Sequence, residues 1–251
     1  MFTDLLTVNT ALEYIARKRL MPTALSTSGL AQLSAQVRER ALFSARQTRV
    51  DALATYAEQL QKLLSGTTDR ASARLELRDY YQSIGHVPEN EEDLTDHASG
   101  ARINLVLDTN TQMAQGYGYL EAGNTDEALE LYPCSELVRG EERRVPRGYK
   151  VVKGHLERDP DNSWPARWKA AAEQSGDTDA LACLQTHRRM IARKDSPIWE
   201  ALSEFGQPYP PFAFNSGMIL QDVERDEAVK LGVIDELAVI EPRNLDFSLA
   251  S

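Results

Sequence analysis

"VDALATYAEQLQKLLSGTTDRASARLELRDYYQSIG", Val50 to Gly85, holds two helical stripes and the stops that separate them. Val50, Leu53, Ala57, Leu60 and Leu64 alternate spacings of three and four, which lays one narrow apolar stripe along a helix. Phe43 would extend that stripe one heptad upstream, but Arg46 interrupts it. Ser65-Gly66 predicts the stop, because glycine enters the left-handed conformation that closes a helix without a Cβ penalty. From about Thr68 a second stripe follows, carried by Ala73, Leu77, Tyr80 and Ile84, and Gly85 ends it. Helices joined by so short a connection lie antiparallel.

Outward from this pair, "HVPENEEDLTDHASG" (His86–Gly100) is acidic, polar and broken by proline, and reads as a linker. Its Glu91, Glu92, Asp93 and Asp96 could be drawn as a metal site or a carboxylate pair; solvated loop charge is the far commoner use of such a run. A third helix is predicted from about Ala101 to Leu120, with Ile103, Val106, Met113, Tyr117 and Leu120 on one face and Asn110 in its middle. A buried amide without partners costs about 1–3 kcal/mol. Asn110 therefore either fixes register or reaches a neighbouring backbone group, the second being the commoner solution.

After Pro133 the pattern changes. "ELVRGEERRVPRGYKVVKGHLERDPDNSW" (Glu136–Trp164) mixes short β-favouring pieces with turn residues, and "ACLQTHRRMIARKDSPIW" (Ala182–Trp199) suggests a strand ending in a turn at Lys194-Asp195. Between them Ser163 can cap a helix with Pro165 in its first turn, closed by Gly176. Ser196-Pro197 starts another short helix, stopped by Gly206. The expected fold class is α+β and predominantly helical: N-terminal antiparallel helices over 1–85, an acidic linker over 86–100, a module over 101–235 combining the central helix with few short strands, and a tail over 236–251.

The totals bound the function. The chain has 251 residues, 42% of them hydrophobic, and a formal net charge of −10, enough apolar material for a sizeable core. The start lacks the order of charge, apolar run and small-residue site of a secretory signal, and no apolar run approaches the roughly 20 residues of a membrane helix. Cys134 and Cys183 make neither a disulfide framework nor a metal knuckle; the expectation is synthesis in a reducing cytoplasm. The acidic total argues against a general nucleic-acid binder. It leaves room for local basic faces at Arg17, Lys18 and Arg19 and at Arg188, Arg189, Arg193 and Lys194, which more often are solvated faces paired with acids.

Familiar chemistry finds no foothold. Gly116 and Gly118 stand at G-x-G spacing, but Glu121 occupies the place of the third glycine and no strand precedes them. "AGNTDEALELYP" looks like half of a helical repeat without a second copy. His155 and Glu157 form an H-x-E without the P-C-x-x-C of a zinc deaminase. Four histidines are available, yet no nucleophile elbow, P-loop, H-E-x-x-H or calcium loop occurs. No catalytic, cofactor-binding or metal-ligating residue is assigned, and the chain is expected not to be an enzyme; an unrecognised hydrolase or toxin-like activity is the alternative.

Several segments, in order, resemble the minor head proteins of tailed bacteriophages, the Mu F-like or head-morphogenesis family. "LFSARQTRVDALATYAEQLQKLLSG" and "RASARLELRDYYQSIG" are similar to that family's amino-terminal helical region, and "RINLVLDTNTQMAQGYG" resembles its central motif. "YPCSELVRGEERRVPRGYK" and "RRMIARKDSPIWEALSEFGQPYPPFAFNSGM" resemble its carboxy-terminal module, and "RDEAVKLGVI" and "NLDFSLAS" its ending. The resemblance runs from about Leu42 onward. Many relatives carry a His/Cys-rich segment after the prolines; this chain has Phe212-Ala213-Phe214-Asn215-Ser216-Gly217 there, so no metal site carries over. The resemblance implies a structural head component made in the bacterial host cytoplasm. Such a component ends in the virion head or near the portal in multiple copies. Its partners are the portal protein and other head proteins, with packaged DNA as a further partner through the Arg188–Lys194 face.

Within that module "PYPPFAFNSGM" (Pro208–Met218) spends scarce aromatics on a run that can be neither helix nor central strand. Pro208, Pro210 and Pro211 impose an extended course, so Tyr209, Phe212 and Phe214 can pin the run across the unit near Trp199, and Asn215-Ser216-Gly217 makes the closing turn. Two uses follow. The run is a self-packing strap, the reading we favour, or part of its aromatic face, with Trp199, Tyr209, Pro211, Phe212 and Phe214, docks a head protein.

Overall fold

Asp69 opens the second helix of the Val50–Gly85 stretch by accepting hydrogen bonds from the amides of Ala71 and Ser72 at 2.8 and 3.0 Å, while Gly66, at φ +72°, closes the first. The structure, a computed structural model, describes residues 5–245 apart from 43, 142–144, 146, 147 and 154. Phe43 and most of "NLDFSLAS" lie outside the described residues. About 49% of the chain is helical and 12% strand, which makes the fold α+β and mainly helical. It divides into two units at Tyr119/Leu120.

The first unit runs through α1 (Leu5–Arg17), β1 (Arg19–Leu20), α2 (Thr27–Ala31), α3 (Ala35–Arg40), β2 (Ala41–Leu42), α4 (Val50–Leu64), α5 (Arg70–Ser83) and α6 (Gly100–Ala122), inside which the division falls. β1 and β2 pair in parallel over two residues each. α4 packs against both α1 and α5. Contact on two sides explains a difference from the expected stripe: the buried set is Ala52, Leu53, Tyr56, Gln59 and Leu60, while Val50 is exposed. On α5 the buried positions are Ala73, Leu77 and Tyr81, with Ile84 exposed. α6 buries Ile103, Val106, Leu107, Ala114 and Tyr117, and the Tyr117 ring stacks on Tyr14 of α1 at 5.0 Å. Asn110 donates from Nδ2 to the Val106 carbonyl at 2.9 Å, the local backbone solution.

The acidic stretch read as a linker is folded onto this unit. The Glu91 carboxylate accepts from the Gly100 amide at 2.8 Å and pairs with Arg78 at 2.7 Å, so an anion sits at the N-terminus of α6, where the helix dipole favours it. Asp93 and Asp96 accept from amides two residues on, at 2.8 Å each. Ala98 and Ser99 are buried. The carboxylates of Glu91, Asp93 and Asp96 are spent on capping and turns.

The second unit continues with α7 (Asp126–Leu131), β3 (Cys134–Arg139), β4 (Tyr149–Val152), β5 (His155–Arg158), α8 (Trp164–Ser175), α9 (Thr178–His187), β6 (Ile191–Arg193), α10 (Ile198–Leu202), β7 (Met218–Val223) and α11 (Arg225–Lys230). β3 is the centre of a three-stranded antiparallel sheet ordered β6-β3-β7. Strand alternation sends neighbouring residues to opposite faces, and each face has its own core. Leu137, Ala192 and Met218 join Trp164 and Trp168 of α8, Ile198, Trp199 and Leu202 of α10, and Phe212. Cys134, Ile191 and Val223 join Leu129 of α7, Ala228 of α11, and Val233, Ile234 and Ile240. α9 serves both cores through Ala180 and Cys183.

Ser163 Oγ caps α8 by accepting from the Ala166 amide at 3.2 Å, and Gly176, at φ +74°, closes it as predicted. The strand expected from Ala182 is corrected: it begins only at Ile191, because Asp177 caps a helix by accepting from Ala180 N at 2.9 Å. That helix runs to His187, and Arg188 closes it at φ +60°. Sequence reading also missed β7, which pairs with β3 at every position from Cys134 to Arg139. The turn before it is as expected, with Asn215 and Gly217 both at positive φ. A Cβ on Gly217 would lie 2.7 Å from the Glu141 carbonyl oxygen, so this position admits only glycine.

Candidate interaction surfaces

The aromatic run packs inward. Tyr209, Pro211, Phe212 and Ala213 are all buried. Phe212 stacks on Trp199 with ring centres 5.9 Å apart, and Trp199 meets the edge of Trp168 at 5.3 Å. Both indoles keep a partner: Trp199 Nε1 donates to the Arg193 carbonyl at 2.8 Å and Trp168 Nε1 to that of Ala180 at 3.2 Å. The straight, alternating course expected for the run is corrected. Alternation would put Phe212 and Phe214 on one face, yet Phe212 and its neighbour Ala213 are both buried while Phe214 is 39% exposed. The run bends at 208–210 and 212–213, held by the Glu204 amide donating to the Phe212 carbonyl at 2.8 Å. Of the aromatic candidates only Phe214, resting edge-on against Phe205 at 4.8 Å, offers surface to a partner.

The basic run is an internal cross-link. Arg189 forks onto Glu136 of β3 at 3.0 and 2.6 Å and reaches Glu227 of α11 at 2.6 Å. Those hydrogen bonds raise its already high pKa. Arg193 grips Asp195 at 2.9 and 2.6 Å. Burial alone would raise the Asp195 carboxyl, but the guanidinium's hydrogen bonds and charge hold it below its ordinary value. Lys194 pairs with Asp222 of β7 at 2.7 Å and lies over the Tyr132 ring. Arg188 alone of the four stands exposed without a charged partner among the described residues. Three of the four cations in the Arg188–Lys194 run are thus paired with carboxylates of the same unit.

His155 and Glu157 lie on β5, across from Val152 and Lys150 of β4, with both side chains exposed. This two-stranded hairpin, formed by short β-favouring pieces noted in the Glu136–Trp164 stretch, hydrogen-bonds to no other strand among the described residues. Tyr149, Val151 and Leu156 on it are 39%, 56% and 55% exposed.

In the first unit a polar cluster is enclosed between the start of α6 and the 44–47 turn. Arg102 donates to Ser44 Oγ at 2.5 Å and to the Ala45 carbonyl at 3.2 Å. Gln47 Nε2 donates to the Tyr81 hydroxyl at 2.9 Å. Burial, then the Arg102 charge, depresses the pKa of His97, and burial pushes the Tyr81 phenol up to about 12. A shallow groove of about 550 Å³ runs between α1 and α4, lined by Leu12 and Ala16 and rimmed by the Glu13–Arg17 and Glu58–Lys62 pairs. Among the described residues no group of three or more His, Cys, Asp or Glu side chains is placed to hold a metal ion, and no helix is long and apolar enough to cross a membrane.

No family model, curated protein or solved structure matches the chain.

Proposed function

We propose that the chain is a structural minor head protein of a tailed bacteriophage or prophage, associating with the portal and assisting head assembly. The observation that supports this reading is an ordered coincidence of motif and element. The resembling segments fall in sequence on α4, α5, α6, β3, and the β6–α10 stretch that leads to β7. Each is therefore a folding unit that a shared fold would have to keep. On this reading the protein works by fitted contact without turnover, in several copies. It is made in the host cytoplasm and ends in the head interior or beside the portal. Phe214, exposed at the rim of the Trp199 core, is the aromatic available to a head partner.

The test is co-expression with the portal protein of the phage or prophage that carries it, followed by co-purification, and a search for the chain in mature particles. A stable complex and presence in particles are the expected results. A chain that is recovered alone and is missing from particles refutes the reading.

A further inference from the structure

We infer that Leu131, Tyr132, Leu237 and Val239 form a docking surface for a basic amphipathic helix of another protein, one with Lys or Arg along both borders of an apolar stripe. This does not rest on the head-protein reading, whose test is portal and particle association; either can fail alone.

Three ties hold together the two segments that carry these side chains. One guanidinium, that of Arg225, donates to the Glu130 carbonyl at 2.8 Å and to the Ala238 carbonyl at 3.0 Å. Two consecutive residues after β6 repeat the link one step on. Arg193 donates to the Val239 carbonyl at 3.2 Å, and the Lys194 amide to the Pro133 carbonyl at 2.9 Å. Beneath them Leu129 and Ile240 are buried in one core. The end of α7 and the 237–239 segment are therefore neighbours on the surface of the second unit.

Among the described residues, four large apolar side chains are more than 60% exposed: Leu237 at 90%, Val239 at 70%, Val87 at 65% and Leu131 at 62%. Three of the four meet here, joined by the exposed ring of Tyr132. Apolar side chains scattered singly over a surface need no explanation, but a cluster marks a contact. This cluster is assembled from two segments distant in sequence. Leu237 adds almost nothing to the core; it stands in a turn closed by the Ala238 amide, which donates to the Asp235 carbonyl at 3.0 Å.

The charge around the cluster selects its occupant. Residues 126–132 and 235–241 hold six carboxylates and no Lys, Arg or His. Glu130 pairs with Arg225 at 3.2 Å. Asp126, Glu127, Asp235, Glu236 and Glu241 are exposed and have no ion pair among the described residues. Glu127 precedes Leu131 by one helical turn and so shares its face of α7, while the other segment has its carboxylates on either side of Leu237 and Val239. The cations that reach these segments are already paired: Arg225 with Glu130, Arg193 with Asp195 and Lys194 with Asp222. Lys230 stands at the far end of α11, about 7.5 Å along the axis from Arg225.

A second copy of the chain would set this acidic rim against its own like, and an anionic membrane would meet the same repulsion. An amphipathic helix with cationic borders mirrors the arrangement. Its apolar stripe covers the exposed side chains, and its Lys or Arg residues meet the unpaired carboxylates.

The test measures binding of the full chain to a fluorescent amphipathic Leu/Lys peptide of about 18 residues, five helical turns, by anisotropy. A scrambled Leu/Lys peptide of the same composition and an amphipathic Leu/Glu peptide run beside it. The amphipathic Leu/Lys peptide alone is expected to bind, and more weakly as salt rises. Leu237→Ser/Val239→Ser, at side chains the core does not use, should weaken binding by about tenfold or more. Val87→Ser/Val151→Ser, which removes comparably exposed apolar side chains elsewhere, should leave it unchanged. Asp235→Asn/Glu236→Gln should weaken it by about threefold at low salt, and carries the test if the serine variant loses its fold. No binding by the unaltered chain overturns the inference, as does equal binding of the scrambled peptide or an affinity that the Leu237→Ser/Val239→Ser change leaves intact. A dimer of the unaltered chain that this change dissolves also overturns it, and assigns the surface to a second copy.

Discussion

Asn124 and Arg243 exchange two backbone-type hydrogen bonds: Asn124 Nδ2 donates to the Arg243 carbonyl and Asn124 Oδ1 accepts from the Arg243 amide, each at 2.8 Å. The side-chain amide thereby imitates a neighbouring strand and holds the segment after Ile240 in place. The Arg243 guanidinium completes the clip, donating to the carbonyls of Lys194 at 2.7 Å and Ser196 at 2.6 Å and pairing with Glu200. A segment with little regular structure is thus fastened across the β6–α10 turn.

Arg243→Ala should release it. The substitution leaves two carbonyls and Glu200 without their donor, a loss of about 1–3 kcal/mol. Limited proteolysis should then cut between 236 and 245 well before any site in the sheet, and Tm should fall. An unchanged cleavage pattern would show that Ile240, buried in the second core, holds the segment by itself.

The Trp199–Phe212 stack makes a sharper prediction because Phe214 supplies its control. Phe212→Ala empties a fully buried site and should cost about 3–5 kcal/mol, read as a lower denaturant midpoint with an unchanged m value. Phe214→Ala, at a partly exposed ring, should cost much less. If the two variants are equally destabilised, the strap is held by its exposed end and the assignment of the core is wrong.

How much of this was legible beforehand depended on the range of the deciding contact. Ser163, Pro165 and Gly176 specify α8 within its own span, and Asp69 and Gly66 do the same for the α4–α5 connection, so these were readable. Asp177 is an equally local signal for α9 and was overlooked in favour of the β-favouring residues around Ile191. β7 is different. "MILQDV" is a strand because β3, far upstream, pairs with it along its whole length, and no local pattern states that. The pairing of the basic run was hidden for the same reason: Glu136 and Glu227, which pair with Arg189, and Asp222, which pairs with Lys194, are distant in sequence.

Cys134 and Cys183 give a chemical check on the second core. Both are free and buried. Burial pushes the Cys134 thiol up to about 12 and raises that of Cys183, so the reactive thiolate is scarce in the folded chain. Neither should react with a thiol reagent at about pH 8 within the lifetime of the native state, and both should react at once in denaturant. Rapid labelling of one equivalent in the native protein would mean that the packing around β3 and α9 opens locally.

The polar cluster of the first unit predicts the direction of pH sensitivity. His97 has its pKa held below 6.5, first by burial and then by the Arg102 guanidinium; a hydrogen bond to the Arg46 backbone and the neighbouring Asp96 oppose the shift without cancelling it. The unfolded chain takes up a proton near the ordinary value of about 6.5. Below that pH the unfolded state binds more protons than the folded one, so stability falls with falling pH. The contribution is fully present above the unfolded pKa and is lost down to the folded one. His97→Asn removes the titration and should flatten the Tm-against-pH curve from about pH 6.5 downward, with little change at higher pH. A variant whose Tm still declines at the wild-type rate over that window would move the acid sensitivity away from the Arg102 cluster.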